Sequence, residues 1–253
     1  MSIVPPRLQD RENAPAPHGR PVIQKAARRD APSYGRLAIL IQSRLVALAL
    51  VLAVMVWPLP GSATDGPVRI VALGDSLTAG FNLPQDAAFP AVLERALRDR
   101  GHAVEILNAG VSGDTSTAGL ARVDWSVPEG TRAVILELGA NDMLRGVDPA
   151  RTEEALDAIV ARLRERDIAV LVAGMRAAPN LGTEYQTRFD AIFPTIAQKH
   201  GLVFYPFFLD GVAGDPSLNL ADGMHPTAEG VKRIVERMLP TVERFLASLK
   251  TNG

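Results

Sequence analysis

Val68-Arg69-Ile70-Val71-Ala72-Leu73 runs directly into Gly74-Asp75-Ser76-Leu77. The apolar run is short, carries apolar side chains at both parities and stops at a glycine. Such a run reads as a strand buried on both faces, with a polar turn at its carboxyl end. Working outward, Ala87–Arg100 sets Phe89, Val92, Leu93, Ala96 and Leu97 on one helical face and stops at Gly101, a C-terminal glycine. Val104–Leu107, Ala133–Leu138 and Ile168–Ala173 read as further strands, and Val203–Phe204 starts a short one. Between and after them, Thr152 is expected to cap a helix with Leu156, Ile159, Val160 and Leu163 inward. Thr183–His200 is expected to be helical, with Pro194 as an irregularity, and Pro226 to open a last helix to about Leu249. Strands alternating with helices imply an α/β fold: a mainly parallel sheet inside two helical layers.

The 253 residues suffice for one sizeable α/β domain. Absence of cysteine excludes disulfides, Cys-ligated zinc, a Cys nucleophile and a lipoprotein anchor. The net charge of -1 hides an asymmetry: 8 of the 27 Lys and Arg but only 3 of the 28 Asp and Glu fall in residues 1–63. The remainder is acidic and poorly suited to nucleic acid, so no nucleic-acid partner is expected. Residues 1–36, rich in Pro, Arg and Ala, read as a disordered cationic head. Residues 37–63 read as a signal peptide, with an apolar run at Leu45–Trp57 and cleavage after Ala63, or as a retained membrane tether through 37–57. Residues 64–253 form the folded domain, exported in either case to the periplasm or beyond.

Ligands of an open parallel sheet bind beyond the carboxyl ends of its strands. There the chain places Gly74-Asp75-Ser76-Leu77, then Ser112-Gly113-Asp114, then Gly139-Ala140-Asn141-Asp142, and, before the last helix, Asp222-Gly223-Met224-His225-Pro226. Each block alone is what a turn or a helix cap looks like. Together they supply a hydroxyl, a base and an acid. Serine needs a base to act as a nucleophile. Of four histidines, His18 lies in the head, His102 follows a helix-ending glycine, and His200 ends a helix beside Lys199. Only His225 lies on the ligand side of the sheet, with Asp222 three residues earlier to orient it.

These residues resemble the SGNH, or GDSL-type, hydrolase family, over about Val68 to Phe245. Its four signature residues correspond to Ser76, Gly113, Asn141 and His225. Ser112-Gly113-Asp114-Thr115-Ser116 and Glu137-Leu138-Gly139-Ala140-Asn141-Asp142 look like the bacterial arylesterase branch, which includes periplasmic esterases, thioesterases and lysophospholipases. The resemblance implies a flavodoxin-like three-layer α/β/α sandwich with a five-stranded, mainly parallel sheet. It implies Ser76 as nucleophile, His225 as base and Asp222 as its orienter. The oxyanion hole would be the N–H groups of Ser76 and Gly113 with the Asn141 side chain, and Asp142–Val147 would be a mobile loop over the site. No Gly-x-Ser-x-Gly elbow occurs.

The expected chemistry is two-step acyl transfer to water, without metal or cofactor. Its rivals are acyl transfer to another alcohol, a metal-dependent phosphoesterase built on Asp75, Asp114, Asn141, Asp142, Asp222 and His225, and a binding module without catalysis. Met143, Leu144, Ala177, Ala178 and Met224, with Phe81 and Leu83, are the expected apolar lining for a small-molecule or lipid ester. No feature specifies an oligomer.

Overall fold

The computed structural model describes residues 66–251. The readings of residues 1–36 and 37–63 lie outside them. Five strands form one sheet: β1 (Val68–Gly74), β2 (Val104–Gly110), β3 (Ala133–Glu137), β4 (Ala169–Ala173) and β5 (Val203–Tyr205). Their order is β2-β1-β3-β4-β5, and every pairing is parallel. Chain order reverses at β1, whose neighbours β2 and β3 lie on opposite sides. The register aligns Gly74 with Gly110 on one side and with Glu137 on the other. Three strand ends therefore finish level, and the segments that follow them meet at one edge.

Among the described residues seven α-helices accompany the strands: α1 (Ser76–Ala79), α2 (Phe89–Asp99), α3 (Ser116–Ser126), α4 (Ala140–Leu144), α5 (Pro149–Glu165), α6 (Thr183–His200) and α7 (Ala228–Thr251). On one face α2 packs against α7; on the other α3, α5 and α6 pack in succession. The result is a three-layer α/β/α sandwich. Ile70, Val71, Ala72 and Leu73 are wholly buried, because both faces of β1 are covered.

Several boundaries differ from the sequence reading. Helix α3 had no clear apolar stripe and was not anticipated; its cap is Thr115, whose side chain accepts from Ala118 N at 3.2 Å. Asp148, not Thr152, caps α5, accepting from Ala150 N at 3.1 Å. Thr152 turns inward instead and donates to Asp142. The last helix opens at Ala228 rather than Pro226, since Thr227 serves as its cap and accepts from Gly230 N. Pro194 leaves α6 unbroken. Gly74 is required by close approach: a Cβ there would collide with Thr78 Oγ1 and with Glu137.

Candidate active site

Ser76 opens the single turn α1, with Asp75 as its cap: Asp75 Oδ1 accepts from Leu77 N at 3.0 Å. The cap fixes the strand-to-helix turn, and Ser76 keeps 9% of its surface exposed at the sheet edge. Its Oγ lies 2.9 Å from His225 Nε2, and His225 Nδ1 lies 2.8 Å from Asp222 Oδ2. A carboxylate can only accept, so Nδ1–H donates to Asp222 and Nε2 is left to accept from the serine hydroxyl.

The loop that carries this pair is tied at its base. Leu220 N donates to His225 O at 2.7 Å, Asn219 bridges to Pro226, and the buried Asn219 amide donates to Val212 O and Asp215 O. Asp222 Oδ1 accepts from Met224 N at 2.9 Å and from His225 N at 3.0 Å. These backbone donors, with the imidazole, hold the Asp222 carboxyl down at about 2. Phe81 lays its ring against His225, with centroids 4.3 Å apart.

Gly113 takes φ +87, a left-handed turn that suits glycine, and its carbonyl accepts from Arg145 Nη2 at 2.8 Å. Among the described residues, the N–H groups of Ser76 and Gly113 donate to no protein acceptor. Asn141 Nδ2 donates to Asp75 Oδ2 at 3.1 Å, which fixes the amide nitrogen toward the Ser76 turn. Asp142 is buried and accepts from Ser116 N, Ser116 Oγ and Thr152 Oγ1, pinning the segment after β3 to α3 and α5.

Arginine 122 is the main site-building residue that the sequence did not signal. It is buried, and its guanidinium donates to Gly74 O at 2.8 Å, to Asp114 Oδ2 at 2.5 Å and to Ser126 Oγ at 3.0 Å. It thereby joins the end of β1 to the segment beside Gly113. Glu137 is the lone polar residue of the apolar strand β3. It is completely buried, and its Oε2 accepts from Thr78 Oγ1 at 2.7 Å and Asp75 N at 3.4 Å. Burial, with the neighbouring Asp75 charge, pushes its carboxyl well above the usual range.

The expected lining residues divide. Leu144 and Met224 stand exposed, at 56% and 46%. Met143 and Ala177 are buried, and Met143 Sδ accepts from Ala178 N. His102 faces Glu243 and His200 faces Asp157; both precede strands, at the far edge of the sheet. Surface concavities of about 240 and 410 Å³ occur between Arg164 and Phe245 and along β2, and neither includes Ser76.

A hydroxyl, an imidazole and a carboxylate in one hydrogen-bonded line, on the carboxyl edge of a doubly wound sheet, define a serine hydrolase. The chain belongs to the GDSL-like lipase/acylhydrolase family, whose model matches residues 72–233. It is 35% identical over 178 residues to the esterase TesA of Pseudomonas aeruginosa, covering 70% of this chain and 89% of that one. It is 35% identical over 170 residues to thioesterase 1/protease 1/lysophospholipase L1 of Escherichia coli K12, covering 67% and 80%. The solved structure of AlinE4, an SGNH-hydrolase family esterase, matches with a TM-score of 0.61 and 44% identity, over 73% of this chain and 99% of that one. The protein is a serine esterase of this family.

Proposed function

We propose that the enzyme cleaves carboxylic esters of aryl or short-to-medium acyl type by a two-step acyl transfer on Ser76. The carrying observation is the relay of 2.9 and 2.8 Å from Ser76 through His225 to Asp222. His225 Nε2 takes the hydroxyl proton as Ser76 Oγ bonds to the ester carbonyl carbon. The tetrahedral oxyanion is held by the N–H groups of Ser76 and Gly113 and by Asn141. His225 returns the proton to the leaving alkoxide or phenoxide, and the acyl group stays on Ser76. Water then repeats the sequence on the acyl-enzyme, releasing the acid. Asp222 holds the imidazole in the tautomer that this requires and stabilises the imidazolium. Phe81, Leu144 and Met224 would meet the acyl or aryl group at the exposed rim.

The domain is read as working outside the inner membrane, either freed by cleavage after Ala63 or tethered through residues 37–57. Among the described residues no helix is long and apolar enough to cross a membrane. Labelling with a serine-directed fluorophosphonate followed by peptide mapping tests the nucleophile. The expected adduct is on Ser76, and an unlabelled, active enzyme overturns the reading. A panel of p-nitrophenyl esters of rising chain length, with a thioester and a lysophospholipid beside it, then sets the acyl preference.

A further inference from the structure

We propose that Asp75 is a positioning residue for catalysis, whose carboxylate sets which face Asn141 presents to the oxyanion. The inference rests on the proposed role of Asn141 as an oxyanion donor. A carboxamide has an oxygen end and a nitrogen end of nearly the same shape, and nothing steric tells them apart. Only the nitrogen end stabilises an oxyanion; the oxygen end repels it. The end presented must therefore be chosen by a neighbour.

Asp75 is placed to make that choice. It lies on the residue before Ser76, is completely buried, and uses its two oxygens for different tasks. Oδ1 accepts from Leu77 N at 3.0 Å and caps the turn, while Oδ2 accepts from Asn141 Nδ2 at 3.1 Å. An ionised carboxylate offers no proton, so only the amide nitrogen can face it. One N–H of Asn141 is spent on Asp75, and the second is left for the substrate oxygen. A protonated Asp75 reverses the selection: its O–H can donate to Asn141 Oδ1, and the inverted amide turns an oxygen toward the developing charge.

The surroundings make this choice sensitive to pH. From β3, Glu137 Oε2 meets the Asp75 N–H, and the opposite oxygen of Glu137 finds no hydrogen-bond partner among the described residues. From α4 come Asn141 itself and the Asp142 carboxyl; from the 219–226 loop comes His225; from α3 the Arg122 guanidinium reaches the adjacent Gly74 carbonyl. Burial outweighs the donors and lifts the Asp75 carboxyl to about 6. The anionic, productive form is lost as the pH falls through that value.

The test is a double-mutant cycle on kcat for p-nitrophenyl butyrate, using wild type, Asp75→Asn, Asn141→Ala and the double variant. Asp75→Asn is expected to lower kcat by about 10²–10³, the loss typical of one oxyanion donor. In the Asn141→Ala background the same change is expected to cost less than about threefold, because the amide it positions is gone. Wild-type kcat is expected to fall more steeply below about pH 6 than that of Asn141→Ala. Equal losses in both backgrounds overturn the proposal, since they assign Asp75 to the Ser76 turn alone. Wild-type kcat in Asp75→Asn overturns it too. If Asp75→Asn fails to fold, Asp75→Ser keeps the helix cap and removes the contact to Asn141. The same cycle is then read: a loss only where Asn141 is present supports the role, and equal losses reject it. Fluorophosphonate labelling of Ser76 in wild type separates this outcome from failure of the nucleophile assignment.

Discussion

Two aspartates flank the Ser76–His225 pair, and they live in opposite worlds. Asp222 sits exposed at the tip of the 219–226 loop, accepts from two backbone N–H groups and the imidazole, and is held down at about 2. Asp75 is buried in the 74–78 turn, with Glu137 beneath it, and is lifted to about 6. Each carboxylate accepts from one polar side chain of the site, His225 or Asn141. Donor count favours the charge in the loop, and lost solvation opposes it in the turn. As the pH passes through about 6 the turn carboxylate changes state, while the loop carboxylate stays a fixed charge. One fold thus gives the same residue type a constant and a conditional electrostatic task.

Breaking each side of that comparison gives graded effects. Ser76→Ala, which removes the hydroxyl common to both regions, is expected to cost on the order of 10⁶ in kcat on p-nitrophenyl esters while the melting temperature holds. Asp222→Asn breaks the exposed side. It leaves the loop shape but favours the wrong imidazole tautomer, and a loss of about 10⁴ in kcat is expected. Arg122→Met strips the clamp behind the buried side. It leaves Asp114 and Gly74 O without their buried partner, and urea denaturation should show about 3–5 kcal/mol of lost stability. Asn141→Ala, at the junction of turn and oxyanion, is expected to lower kcat by about 10²–10³ with KM little changed. The smallest effect is thermodynamic. Glu137 binds a proton when folded that it releases, when unfolded, above its ordinary 4.5. Folding stability therefore falls as the pH rises above that value, with Asp75 contributing in the same direction. Glu137→Gln should flatten this fall in a pH series of melting curves, and an unchanged slope would assign it to other groups.

Ser76, Asp222 and His225 were legible because each stands in a short block with a local signature at a predictable strand end. Gly113 and Asn141 were legible through the family pattern, and the structure brings both to the same edge. Arg122 was not legible: it lies on α3, which lacks a strong apolar period, and its value comes from reaching Gly74 O and Asp114 across the fold. The lining set was only half defined by hydrophobicity, since Met143 is used to pack against Ala178 while Leu144 faces out. Periodicity reports which face is apolar, not which apolar residue a neighbour will cover.

By itself, then, the chain determined its alternation of buried strands and amphipathic helices, the parallel sheet, and the order of polar blocks at its carboxyl edge. Those follow from local spacing and from the backbone's need to pair its hydrogen bonds. Tertiary structure alone decided that Gly74, Gly110 and Glu137 end level, that His225 reaches Ser76 across 149 positions of sequence, and that Asp75 is dry while Asp222 is wet. Distance and solvation are properties of neighbours brought together by folding, and they set how each acid ionises.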